Sequence, residues 1–390
     1  MEDPMQKKIH AKEKPCMSKN DDVTTQNNEN TLDLSTVLTY DILRIIFQYL
    51  DARDLANAAM VCRFWLEAAN NEKLTRGHPC YFTQFYDDYD RNGRHELLCY
   101  INRIRIKPSI GFFFMRSDTP RNIYIEECTE ALLPKDCEAI MLYSEGIIVQ
   151  NCQFPNITCV FLPQIPNVKI KSFILSENYI IQETAEYREI ISTIVNNETS
   201  TLSDKTSTCF MLFCNGKDRT TAQRWASAIQ EISKECEAVS VWGGVMIDIH
   251  AQRAHTDLRK RQMRTRSLEK MNTFEYCVAV LITGPIWTWS VILEWTCNTN
   301  ELIEARLKLF KNKVKLKKHS IGFMIMSEPR ESSYLEPVIF TRLFPEVRLV
   351  GCISYGEFGK NTAVNEMNEE RNSKFWYNDL CTVFLILTYG

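Results

Sequence analysis

The sequence predicts a mixed α and β protein. A small three-helix module near the N-terminus precedes a larger region with repeated strand–helix–strand units. Two observations carry this reading. Between residues 38 and 65, apolar residues recur at helical spacing. Beyond residue 101, short apolar runs alternate with amphipathic stretches, and some of the runs repeat.

The first helix is read from Ile42, Ile46 and Leu50, spaced four apart, and from Leu43 and Phe47, which repeat the step one position on. Asp51-Ala52-Arg53-Asp54 interrupts the pattern. Asp54 suits an N-cap for a second short helix beginning at Leu55. A third helix is expected to carry Val61, Cys62 and Trp65. So short a stretch lacks the volume to enclose this many apolar side chains. Some of Leu38, Ile42, Ile46, Leu50, Leu55, Val61 and Trp65 must therefore rest on another surface.

The flanking segments differ in kind. Residues 1–31 are polar and charged and read as a disordered tail. Residues 32–75 hold the helical module, and residues 76–100 read as a connector with aromatics among charges. In the large region, Ser109-Ile110-Gly111-Phe112 recurs as Ser320-Ile321-Gly322-Phe323. Leu132-Leu133-Pro134 recurs as Leu343-Phe344-Pro345 at the same separation, and each copy leads into a second apolar run. A weaker copy lies between them. It runs from Thr208–Cys214 through an amphipathic stretch with Trp225 and Ile229 to Val239, then into Trp242-Gly243-Gly244, read as a turn. A strand–helix–strand unit of this length places its two strands parallel.

Composition narrows the function classes. The formal net charge of −3 argues against nucleic acid as the main partner. The 15 cysteines include no C-x-x-C pair, so no metal site is expected. Cys209, Cys214, Cys277 and Cys381 sit in apolar runs and read as buried reduced thiols. Residues 1–31 contain no apolar core of a signal peptide, so a cytoplasmic and nuclear location is expected. The uncharged run Tyr276–Leu293 is interrupted by Gly284-Pro285 and reads as two strands joined by a turn, not as a membrane span.

The remaining residues carry no recognisable catalytic motif. The histidines form no H-E-x-x-H helix, and neither a G-x-S-x-G elbow nor a phosphate loop occurs. No catalytic residue, metal or cofactor is therefore assigned. Ser354-Tyr355-Gly356-Glu357 follows an apolar strand and is the candidate ligand-facing turn, where Glu357 and Arg330 would read an amine and a carboxylate. Cys352 reads as a buried small hydrophobe. Two basic runs, Arg259–Arg266 and Lys311–Lys318, read as an exposed loop or nuclear address and as a solvated helix end.

Leu38, Asp41, Ile42-Leu43, Ile46-Phe47, Leu50, Asp54-Leu55, Val61-Cys62-Arg63 and Trp65 together resemble the F-box family. Thr39 and Asp51 stand where that family often has proline. The resemblance implies docking on the Skp adaptor of a cullin-RING ubiquitin ligase through Leu38, Ile42, Ile46, Leu50, Leu55, Val61, Cys62 and Trp65. The Ser320–Phe323 strand, Leu343-Phe344-Pro345 and Gly351–Gly359 resemble the C-terminal part of FIST domains. Residues 101–305 and 306–390 would then be the N- and C-terminal parts of a FIST-like domain. Pro329-Arg330 departs from the glycine-arginine pair that this family tends to carry. The two resemblances imply a non-enzymatic substrate receptor of an SCF-type ligase. It would bind protein substrates, promote their ubiquitination and proteasomal degradation, and engage neither nucleic acid nor membrane. The alternative is an amino-acid-like small-ligand sensor in which the F-box is not functional.

Overall fold

The computed structural model describes residues 39–85, 93–118, 132–134, 136–150, 155–177, 180–199, 207–232, 239–252, 277–328, 334–362 and 376–390. The helical module comprises α1 (Tyr40–Phe47), α2 (Ala52–Ala58) and α3 (Arg63–Thr75). Thr39 caps α1 by accepting the Ile42 amide. Asp51 caps α2, with Oδ1 accepting the amides of Arg53 (2.9 Å) and Asp54 (2.8 Å). Both positions that lack proline are thus occupied by side chains that cap a helix. The expected cap at Asp54 is corrected. The second helix starts one turn earlier because Asp51 takes two orphan amides, and Asp54 lies in its first turn. The third helix starts at Arg63, with Cys62 at its N-cap position and Val61 in the preceding turn. Leu43, Phe47, Leu55, Ala58, Ala68 and Ala69 form the module's core, with Leu50 and Trp65 packed at its margin.

The large region contains three units of one plan, as many as the copies of the strand–helix–strand pattern in the sequence. The first has β1 (Cys80–Gln84), α4 (Gly93–Asn102), β2 (Pro108–Arg116), β3 (Glu138–Ser144), β4 (Ile147–Val149) and β5 (Ile157–Pro163). The second has β6 (Lys169–Ile174), α5 (Ala185–Thr199), β7 (Thr208–Asn215), α6 (Arg219–Ile232), β8 (Val239–Met246), β9 (Asp248–Gln252) and β10 (Cys277–Thr283). The third has β11 (Trp287–Leu293), α7 (Asn300–Lys313), β12 (His319–Ser327), α8 (Leu335–Leu343), β13 (Arg348–Ser354), β14 (Glu357–Gly359), β15 (Tyr377–Asn378) and β16 (Thr382–Tyr389). The expected connector therefore contributes β1 and α4 to the first unit, and the 305/306 division falls inside α7.

The spacing predicts parallel strand pairs, and β2/β3, β7/β8 and β12/β13 are all parallel. The first strand of each pair also bonds antiparallel to a later return strand: β5, β10 or β16. The repeated glycine has a packing reason. A Cβ at Gly111 would lie 2.9 Å from the Phe161 ring, and one at Gly322 would lie 3.2 Å from the Phe340 ring. Each glycine leaves room for an aromatic side chain.

After the second parallel strand, the chain of each unit crosses to another sheet. β4 pairs with β13 of the third unit, β14 pairs with β8 of the second, and β9 pairs with β3 of the first. The exchange closes a ring. Inside it, one apolar cluster draws on all three sheets, with Phe323 edge to face with Phe112 (5.5 Å) and tilted against Trp242 (5.2 Å). Trp242-Gly243-Gly244 lies within β8, which corrects the expected turn. The Gly284-Pro285 segment is flanked by strands as expected. They do not form a hairpin, because β10 and β11 belong to different sheets. Among the described residues, no helix is long and apolar enough to cross a membrane.

The helical module is fastened to this body through polar contacts, most of them partly buried. Arg76 donates Nε to Glu72 (2.8 Å), Nη1 to the Arg105 carbonyl (2.7 Å) and Nη2 to the Phe47 carbonyl. The Ala52 amide bonds the Ile104 carbonyl at 2.9 Å, and the Tyr389 hydroxyl bonds the Gly77 carbonyl at 2.9 Å. His78 and His319 meet through their Nδ1 atoms at 3.1 Å. The module therefore touches both the first and the third unit.

Two outcomes follow from these contacts. A chain ending at Ala305 lacks β13 and β14, the partners of β4 and β8 across the ring, so it should show no cooperative thermal transition by circular dichroism. A melt close to that of the full chain would contradict the ring of exchanged strands. Arg76→Ala leaves Glu72 buried without its main partner and should lower stability by about 3–5 kcal/mol in denaturant unfolding.

Candidate functional site

Helix α1 is apolar on two sides, and the fold uses only one of them. Leu43 and Phe47 point into the module, and Phe47 meets Trp65 edge to face at 5.4 Å. Ile42, Ile45, Ile46 and Tyr49 lie outside. They follow i, i+3, i+4, i+7 spacing and thus form one stripe. Ile45 is 57% exposed, Ile46 42% and Tyr49 83%. The turn before α3 adds Met60 and Val61, both exposed, and Phe64 follows on α3. Phe64 and Tyr40 are in edge contact at 5.9 Å, which joins the two exposed groups.

The structure redistributes the expected adaptor residues. Ile42, Ile46, Val61 and Cys62 are exposed. Leu50 and Trp65 are half-buried against the module's own core. Leu55 is 1% exposed and is corrected to a core residue, because α1 and α3 already cover it. Leu38 lies outside the described residues. Ile45, Tyr49, Met60 and Phe64 were missed. The stripe spacing within α1 was readable, but the sequence does not tell which of two apolar stripes faces inward.

The turn Ser354–Glu357 has a different role from the expected one. Glu357 does not face a ligand; it is fully buried. Its Oε1 accepts from the Ser354 hydroxyl at 2.8 Å, and its Oε2 accepts from the Cys381 amide at 3.3 Å and thiol at 3.5 Å. Burial raises its pKa from the ordinary 4.5 to about 7, against the lowering effect of these hydrogen bonds. The exposed member is Tyr355. Its hydroxyl donates to Glu145 (2.8 Å), and its carbonyl accepts from Arg219 (2.8 Å). The Tyr355 amide bonds the Val245 carbonyl, and the Val245 amide returns a bond to the Gly356 carbonyl. Gly356 has φ +150°, and a Cβ there would lie 2.5 Å from the Tyr377 hydroxyl.

This turn is therefore a joint between the three units. Arg330 and the Arg259–Arg266 run lie outside the described residues. Cys352 is buried, which pushes its thiol up to about 12, away from the range of a reactive thiolate. Among the described residues, no group of three or more His, Cys, Asp or Glu is placed to hold a metal.

Glu357 makes stability depend on pH in a definite direction. Its folded pKa is raised, so its contribution is full below the unfolded value and is lost as pH rises through about 7. Glu357→Gln cannot ionise and keeps donor and acceptor atoms for Ser354 and Cys381. It should match the parent in thermal melts at pH 4 and exceed it at pH 8, by about 3 kcal/mol at most. An equal offset at both pH values would count against an uncharged, buried Glu357.

Comparisons with known proteins bear on the helical module most directly. No curated protein matches the chain. Among solved structures, a cyanuric acid hydrolase from A. caulinodans is similar with a TM-score of 0.38 and 10% identity, over 80% of this chain and 99% of its own. Residues 40–77 match the family model described as F-box-like. These residues span the module's three helices and end at the seam with the large region, so the N-terminal module is F-box-like.

Proposed function

We propose that this protein is a substrate-recognition subunit of an SCF-type cullin-RING ubiquitin ligase. The F-box-like module binds the Skp adaptor. The large region, which resembles FIST domains in its third unit, binds the protein to be ubiquitinated and sent to the proteasome. The observation that carries this reading is the exposed stripe Ile42, Ile45, Ile46 and Tyr49, continued by Met60, Val61 and Phe64. Contiguous exposed apolar side chains on so small a module mark a surface that another protein covers.

The chemistry asked of such a subunit is positional. It makes and breaks no bond itself. It holds a substrate lysine near the charged conjugating enzyme, which raises the local concentration and replaces a bimolecular encounter with an intramolecular one. The polar fastening at Arg76, Ala52 and Tyr389 suits this task, because a fixed module sets the direction in which substrate is presented. The work is assigned to the cytoplasm and the nucleus, where adaptor and proteasome both operate. A small-ligand sensor is the weaker reading, since Glu357 directs both carboxylate oxygens to internal partners.

Ile46→Asp combined with Val61→Asp changes exposed positions only, so the fold should keep its melting temperature. Co-purification with the Skp adaptor should fall about tenfold or more, as when central apolar contacts are replaced by charge. Undiminished adaptor binding by a folded double variant would remove the basis of the assignment. Leu50→Ala with Trp65→Ala should also reduce adaptor binding. That variant should additionally lower the melting temperature, because both side chains support the module's core.

A further inference from the structure

Helix α7 also has an apolar side that the fold leaves uncovered. Ile303, Leu307 and Phe310 enter the core of the third unit. On the outside, Leu302, Ala305 and Leu309 are exposed at i, i+3, i+7 spacing, with Leu309 54% exposed. The flank of this stripe is strongly basic. Lys308, Lys311, Lys313, Lys315, Lys317 and Lys318 are all exposed, and no acidic residue interrupts residues 308–318. The chain as a whole carries −3, so this is a local concentration of positive charge against the overall balance.

The helix terminus accounts for only part of the run. Lys311 and Lys313 complement the negative end of α7, but Lys315, Lys317 and Lys318 lie beyond it on the segment entering β12. Lys308 pairs with Glu304 at 2.8 Å, and Lys317 lies over the Trp287 ring at 4.3 Å. No carboxylate among the described residues pairs with Lys311, Lys313, Lys315 or Lys318. Leu316 is partly exposed among them.

We infer that this ridge is the docking surface for the protein substrate, and that it takes an acidic amphipathic segment of that substrate. The inference rests on the substrate-receptor reading and adds the chemical class of what is received. Leucine-like side chains of the segment cover Leu302 and Leu309, and its carboxylates face the lysines. Nucleic acid fits less well. The ridge offers leucines, not open aromatic faces for base stacking, and Glu301 and Glu304 sit at its start. A membrane surface fits less well too, because Leu302, Leu309 and the partly exposed Leu316 offer little apolar area for insertion.

The test uses the full chain and a synthetic probe. The probe is a fluorescent peptide with leucines three and four residues apart and glutamates on both flanks. Its control carries glutamine in place of glutamate. Oligo(dT) and phosphatidylserine vesicles serve as competing anions. The acidic peptide should bind more tightly than its control, and its affinity should drop as salt rises. Lys311→Glu with Lys315→Glu, and separately Leu309→Ser, should each weaken it about tenfold or more. Both variants should retain adaptor binding, because the altered residues lie outside the F-box-like module. Equal binding of acidic and control peptides, equal binding by the charge-reversed variant, or stronger binding of oligo(dT) or vesicles than of the peptide would each overturn the inference. If peptide binding fails while the adaptor still co-purifies, this surface falls and the ligase reading stands. Loss of adaptor binding by the unaltered chain would sink the ligase reading.

Discussion

Three short strands hold the large region together because each pairs outside the unit that encodes it. β4 and β14 have three residues each and β9 has five, too few for independent stability. Their value is positional. Each completes the edge beside the second parallel strand of another unit, so no unit can satisfy its backbone hydrogen bonds alone. The shared apolar interior follows from the same constraint. Once the sheets are tied in a ring, Phe112, Trp242 and Phe323, one from each unit, meet in one cluster.

The strand-end turns carry the polar consequences of that closure. Tyr355, Gly356, Val245, Glu145 and Arg219 come from different units and exchange hydrogen bonds where the ring closes. Glu357 lies just behind them, sealed by Ser354 and Cys381. A buried carboxyl with its acceptors filled by its own chain is a structural joint with a pH-sensitive strength. Tyr355 and Glu145 are the parts of the turn that reach solvent.

The F-box-like module sits on this closed body through hydrogen bonds along the seam. Arg76 places all three of its nitrogens, and each accepting atom belongs to the module or to the first unit. Tyr389, on the final strand, reaches Gly77 at the far end of the seam. The N-terminal module is thereby tied to the C-terminal strand. A surface on α7 and a surface on α1 consequently keep a fixed separation.

Much of this was legible in the residues. The ordered series from Asp41 to Trp65 specified three helices and an unpaired apolar surface. The paired glycines, Gly111 and Gly322, marked equivalent strands because each must admit an aromatic ring. Local chemistry was harder to place. Asp51 and Asp54 both suit a helix cap, and only the two amides that Asp51 accepts distinguish them. β1 looked like a connector because its partner, β5, is distant in sequence. β10 and β11 looked like a hairpin because adjacency along the chain carries no information about which sheet each strand joins. The sequence by itself determined the three helices of the module, the strand–helix–strand repeat and the presence of excess apolar surface, since these depend on spacing and side-chain chemistry. The tertiary structure alone decided which side of α1 is covered, that Leu55 is enclosed and that Glu357 faces inward, because burial depends on neighbours brought together from distant parts of the chain.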